Sequence, residues 1–106
     1  MIEKTILLSK LTSIYGGLLT DKQKDALELY YNCDMSLAEI GDELSISRQG
    51  VRDTVTRAEK TLLEAEQKLG FLKKSDELVA RLSEISDSLT GEQKNALLAL
   101  IKELED

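Results

Sequence analysis

A chain of 106 residues is long enough for one hydrophobic core and too short for two independent ones. It has no proline, 4% aromatic residues and many Leu, Lys and Glu, a balance that favours an all-helical fold and leaves no strand candidates. The formal charge of −6 excludes non-specific binding of nucleic acid or an anionic membrane by the whole molecule, so any nucleic-acid contact must be local.

The first predicted helix runs from about Glu3 to Tyr15, with Leu7, Leu11, Ile14 and Leu18 repeating every three or four residues. Gly16 and Gly17 stop it. Thr20 and Gln23 form a capping box for a second helix, and its Ala26, Leu27, Tyr30 and Tyr31 turn inward up to about Asn32. Cys33 to Met35 form a loop. Cys33 is the only cysteine, so no intramolecular disulfide can form, and it is expected to act as a small apolar residue in a reducing compartment.

The stretch from Ser36 to Leu62 reads as two helices joined by a tight turn, a helix-turn-helix signature. Ser36 caps the short helix with Glu39 as its box partner, and Leu37, Ile40, Gly41 and Leu44 supply the inner face. Ser45 and Ile46 make the turn, with Ile46 plugging the corner. Ser47 caps the next helix, the recognition-helix candidate, whose Val51, Val55, Ala58 and Leu62 recur at helical spacing. The first two helices are expected to cover the back of this pair.

The apolar stripe does not stop at Leu62. Ala65 and Leu69 extend it in an alternating four-three spacing of heptad type, which predicts one helix from Ser47 to Leu69, about 35 Å long. The short preceding helices are not expected to reach its second half. Leu62, Ala65 and Leu69 are therefore read as a dimerisation or packing seam, covered by a second copy in a homodimer or by the chain's own C-terminal helices. Gly70 ends the helix in a left-handed conformation, and Phe71 and Leu72 follow. A further helix is predicted from Ser75, Asp76 and Glu77, with Leu78, Leu82, Ile85 and Leu89 as its seam. The last begins at Thr90, boxed with Gln93, and carries Leu97, Leu100, Ile101 and Leu104 before the acidic end Glu103, Glu105 and Asp106. A helix-turn-helix head over residues 1–62 and a helical extension over 63–106 are expected to form one compact domain. A partial echo of Leu19, Thr20, Gln23, Lys24, Ala26 and Leu27 occurs from Leu89 to Leu97. The SLAEIG motif does not recur with it, so it is read as shared helix-start grammar.

On the outer face of the recognition-helix candidate, Gln49, Arg52, Asp53, Thr56 and Lys60 point away from the core, with Arg57 at the edge. Arg48 and Gln49 lie in the first turn beside unpaired backbone N–H groups, which suits a phosphate or a base edge. The nucleic-acid-binding candidates are thus Ser47, Arg48, Gln49, Arg52, Thr56 and Arg57. From Ser47 to Leu62, four cations stand against two anions, a local +2 in a chain whose remainder carries −8. The alternative reading of this face is a solvated helix whose Arg and Lys pair with acidic neighbours.

Catalysis has little to stand on. Histidine is absent and cysteine single, so the usual zinc sites, triads and Cys-His pairs cannot be built, and phosphate-loop patterns are missing. No enzymatic activity, metal, cofactor or small-molecule ligand is expected. The longest apolar run, Ala96 to Ile101, is too short to span a bilayer and no cleavable leader is present, so a soluble, cytoplasmic protein is expected.

Leu37, Glu39, Ile40, Gly41, Ser47, Arg48, Val51, Arg52, Arg57, Ala58 and Leu62 resemble region four of bacterial sigma factors, where a short "LxEIG" helix precedes a turn and a helix that opens on Ser-Arg. A closer resemblance is to the small stand-alone YlxM proteins, carried by Leu18, Leu19, Thr20, Lys22, Gln23, Lys24, Leu29, Tyr30, Tyr31, Ser47, Arg48 and Gln49. It covers roughly the first two thirds of the chain. Gly50 departs from that family's usual alanine, and Thr56 from a usual lysine. Resemblance to YlxM implies a regulatory protein tied to the signal recognition particle pathway, with the particle's GTPase or RNA as partner. Resemblance to sigma factors implies a stand-alone DNA-binding transcription regulator.

Overall fold

The computed structural model describes residues 2–105; Met1 and Asp106, the two ends of the expected segments, lie outside the described residues. Among these the chain is all α, with no strand: α1 (Ile2–Tyr15), α2 (Asp21–Leu27), α3 (Leu37–Leu44), α4 (Arg48–Leu69), α5 (Phe71–Asp87) and α6 (Gly91–Glu105). They form two compact units, the first ending at Leu69 and the second beginning at Gly70.

In the first unit α1, α2 and α3 all pack on α4. Val51, Val55, Ala58, Leu62 and Ala65 of α4 are buried, and Leu11, Ile40, Leu62 and Val51 are the largest side chains removed completely from solvent. Each such residue contributes about 1.5 to 3 kcal/mol. The buried face of α1 differs from the expected one. Leu8, Leu11 and Tyr15 turn inward, while Leu7, Ile14 and Leu18 remain exposed. Apolar residues occupy most of the circumference of this helix, so its own pattern does not choose a face; the partner helix does. α1 also reaches the second half of α4, where the Tyr15 hydroxyl donates to Glu66 Oε1 at 2.8 Å. A 14-residue helix laid along the longer one covers what its sequence position alone did not suggest.

Local chemistry starts the elements as expected. The Gln23 N–H donates to Thr20 Oγ1 at 3.1 Å while the Thr20 N–H donates to Gln23 Oε1 at 2.9 Å, a complete capping box. α2 then widens into a π-helical turn over Glu28–Asn32, with the Cys33 N–H donating to the Glu28 carbonyl. Ala26 and Leu27 are buried, and the Tyr30 and Tyr31 rings, half-buried, meet edge to face at 4.9 Å. Tyr31 donates its hydroxyl hydrogen to Glu59 Oε1 on α4, and Lys4 Nζ lies 3.4 Å from Glu59 Oε2. Three elements are thereby joined through one carboxylate. Cys33 is exposed, so it does not serve as the small apolar packing residue expected of it.

Burial, then the bond to Glu59, raises the Tyr31 pKa from its ordinary 10.0. Hydrogen bonding with Tyr31, then the Glu59 charge, raises that of Lys4 from 10.5. Both groups hold their protons more tightly in the folded chain. Their contribution to stability is therefore complete below their unfolded pKa values and is lost as pH rises through the folded ones.

The turn between α3 and α4 is built on Gly41. The Ile46 N–H donates to the Gly41 carbonyl at 2.9 Å, and a Cβ at Gly41 would lie 2.6 Å from the Ile46 carbonyl oxygen. Only glycine lets the turn approach α3 this closely. Ser45 closes α3 in the left-handed region at φ 60°.

The second unit is a hairpin of α5 and α6 around the turn Ser88–Thr90. α5 starts at Phe71, four residues before the expected Ser75, because Gly70 at φ 65° ends one helix and immediately begins the next; its carbonyl accepts from the Lys74 N–H at 3.0 Å. The faces also differ from expectation. Val79, Leu82 and Ser86 line the inside of α5, Leu97 and Ile101 that of α6, with Leu89 half-buried in the turn, whereas Leu78, Ile85, Leu100 and Leu104 face solvent. Ser86 is buried at this contact, its hydroxyl donating to the Ser83 carbonyl at 2.8 Å, so the most apolar stripe is not the one buried.

Two outcomes follow from this packing. Gly41→Ala lowers stability by about 1 to 3 kcal/mol, measured by chemical denaturation, because backbone must move to admit the methyl group. Tyr31→Phe costs about 1 to 2 kcal/mol at neutral pH and flattens the loss of stability above about pH 10 that is expected of the wild type, both read from thermal melts across pH.

Candidate nucleic-acid interface

The helix-turn-helix brings two helix N-termini side by side. At the first, the Glu39 N–H donates to Ser36 Oγ at 3.1 Å and the Ser36 N–H to Glu39 Oε1 at 3.2 Å. At the second, the Gly50 N–H donates to Ser47 Oγ at 3.0 Å and the Val51 N–H to the Ser47 carbonyl at 2.9 Å. Between them lies an open groove of about 710 Å³ lined by Ser36, Leu37, Ala38, Arg48, Gln49 and Arg52. Two guanidinium groups and a carboxamide thus share one concavity with the start of α3. Planar multiple donors of this kind match phosphate oxygens or the acceptor edge of a guanine.

The sequence-derived candidates divide. Arg48, Gln49 and Arg52 line the groove. Ser47 is exposed but turns its oxygen to the cap of α4, and so acts in shaping the site. Thr56 is exposed one turn beyond Arg52 on the same side of α4, continuing the line Gln49, Arg52, Thr56 along the helix. Arg57 is exposed too, yet it stands about 140° round the helix from Arg52, away from the groove. The groove's other wall, Ser36, Leu37 and Ala38, was not among the sequence candidates. Its residues lie ten or more positions before Arg48, and only the fold of the turn sets them opposite it.

Electrostatics on α4 are sorted by face. Glu59, with its side chain 18% exposed, is drawn inward by Lys4 and Tyr31. Asp53 Oδ1 accepts from Gln49 Nε2 at 3.0 Å, which fixes the carboxamide over the first turn. Lys60 pairs loosely with Glu64 at 3.9 Å, an exposed contact worth little. Arg48 and Arg52 are therefore the cations presented together at the groove.

Of the seam Leu62, Ala65 and Leu69, the first two are buried within the first unit and Leu69 is 50% exposed, beside a shallow apolar groove that includes Leu18 and Lys68. Among the described residues no group of three or more His, Cys, Asp or Glu is placed to hold a metal ion, and no helix is long and apolar enough to cross a membrane.

Comparison with known proteins agrees with this architecture. Residues 2–103 match the family described as "UPF0122: Putative helix-turn-helix protein, YlxM / p13 like", so the likeness extends through α5 and most of α6, beyond the two thirds on which the resemblance had rested. A UPF0122 protein of Thermoanaerobacter pseudethanolicus is 40% identical over 108 residues, covering 98% of this chain and 92% of its own length. Those of Shouchella clausii and Halalkalibacterium halodurans are 38% and 40% identical over 109 residues, covering 99% of this chain and all of their own. With a matching helix-turn-helix, a matching length and relatives of this identity, the chain belongs to the UPF0122 family of YlxM-like helix-turn-helix proteins.

Proposed function

We propose that this protein is a cytoplasmic regulatory adaptor of the signal recognition particle pathway, whose helix-turn-helix makes local contacts to nucleic acid while protein docking supplies most of the affinity. The observation that carries this reading is the confinement of the cationic site to one groove. Arg48, Gln49 and Arg52 converge there, in a chain of net charge −6. Few phosphates can be neutralised by so small a patch, and duplex affinity rises with the number neutralised. Protein docking carries no such restriction. Likeness to YlxM supplies the particle's GTPase or its RNA as the candidate partner. Pairing of two copies into a homodimer belongs to the same reading, because it doubles the number of grooves on one assembly.

The second reading is a stand-alone DNA-binding transcription regulator. What favours it is the line Gln49, Arg52, Thr56 on the outer side of α4, the side a recognition helix turns to the major groove.

Binding to the particle's GTPase, to its RNA and to generic duplex DNA, measured side by side at physiological salt, separates the two. Retention of the particle component with weak DNA affinity is expected; tight, sequence-specific DNA binding without affinity for the particle selects the regulator. For whichever nucleic acid binds, Arg48→Ala or Arg52→Ala weakens binding by about 1 to 3 kcal/mol and lowers the salt slope by about one unit, while Lys102→Ala on α6 changes neither. Equal effects at all three positions would remove the groove from the account.

A further inference from the structure

The C-terminal hairpin buries little of its own apolar surface. Among its described residues only Ile101 and Ser86 are buried, while Leu78, Ile85, Leu100 and Leu104 are 46%, 51%, 46% and 38% exposed. These residues are not scattered. Leu78 immediately precedes the inward Val79, Ile85 precedes Ser86, and Leu100 precedes Ile101, so each lies about 100° to the same side of its helix's inner line. In two antiparallel helices, offsets of the same sense fall on the same side of the hairpin. Counting back from the turn Ser88–Thr90 sets Leu78 level with Leu100 and Lys74 level with Leu104. One face of the hairpin is therefore an apolar strip of Leu78, Ile85, Leu100 and Leu104, interrupted on α5 by Lys74 and Arg81. Leu98, which follows Leu97, lies on the opposite face.

Charge borders this strip unequally. On α5 the residues interleaved with Leu78 and Ile85 on the outer flank are Lys74 and Arg81, both exposed. On α6 the outer flank carries Glu92 and Glu103, also exposed. One margin is basic and the other acidic.

We propose that this face is the homodimer interface, closed by the same face of a second copy into an antiparallel four-helix bundle. Two copies related by a two-fold axis can meet here in two ways. An axis across the helices stacks α5 antiparallel on α5 and sets the margin that carries Lys74 and Arg81 beside the same margin of the other copy, which like charge opposes. An axis along the helices stacks α5 of each copy on α6 of the other. The basic margin then meets the acidic margin twice, with Lys74 level with Glu103 of the second copy, and neighbouring helices all run antiparallel, the arrangement of four-helix bundles. The margins select the second arrangement. This inference rests on the homodimer reading above and specifies its surface; it does not depend on which nucleic acid or protein the groove meets.

Sedimentation equilibrium of the full chain tests it. The wild type is expected to be a dimer in the micromolar range, and Leu78→Glu, by setting a carboxylate in the strip, to raise the dissociation constant about a hundredfold or more. Circular dichroism checks that this variant still folds. Should it not, the exposed charges remain decisive: Lys74→Glu alone weakens the dimer about tenfold, and adding Glu103→Lys restores it. Leu69→Glu, in the first unit, leaves association unchanged. A wild type that stays monomeric overturns the homodimer reading itself. A dimer indifferent to Leu78→Glu and to the charge reversals, or one dissociated by Leu69→Glu instead, overturns this surface while leaving the dimer standing.

Discussion

The buried stripe of α4 is the constraint from which the first unit follows. Val51, Val55, Ala58, Leu62 and Ala65 give one rod on which α1, α2 and α3 all find their apolar partners. None of those three is long enough to be stable as an isolated helix in water, and α3, of eight residues, least of all. Its orientation, and with it one wall of the groove, depends on Ile40 sinking fully against α4 and on the missing side chain of Gly41. Packing therefore comes before recognition here. The groove is as rigid as the turn that sets Ser36 opposite Arg48.

The same rod organises charge. An acidic chain can present a cationic site only where its own carboxylates are turned elsewhere, and Glu59 is held on the inner side by a lysine and a tyrosine from two other elements. That contact costs the groove nothing and ties α1 and the π-helical turn to the middle of α4. Arginine suits the site better than lysine would, because its planar donors keep their geometry beside a helix terminus. The result is a small, directional positive patch in a molecule whose wider field repels polyanions.

The second unit shows the opposite economy. Its helices carry enough leucine and isoleucine for a core, yet they meet through Val79, Ser86 and Ile101 and leave a stripe outside. A two-helix hairpin has only one contact between its elements, so apolar residues turned away from that contact have no other helix of the hairpin to cover them. That is a property of the architecture and not of any single residue. It makes this unit the part of the chain whose surface asks for a partner.

Much of this was legible in the residues. Helix starts are decided by contacts three residues apart, so Thr20 with Gln23, Ser36 with Glu39 and Ser47 before α4 announced three of them, and the four-three spacing from Val51 to Ala65 announced the inner face of the longest helix. Arg48, Gln49 and Arg52 followed, since the outward face is the complement of the inward one. What local rules could not decide was which side a helix buries when apolar residues lie nearly all round it. In α1 and α5 that choice set Leu8 and Tyr15 beside the expected Leu11, and Val79 and Ser86 beside the expected Leu82, and left Leu7, Ile14, Leu78 and Ile85 outside. The π-helical turn, the reach of α1 along α4, and Ser36, Leu37 and Ala38 facing Arg48 and Arg52 likewise come from tertiary contact. Sequence determined the helices and their caps because those depend on neighbours within one turn; the tertiary structure decided faces and groove because those depend on residues ten to fifty positions away.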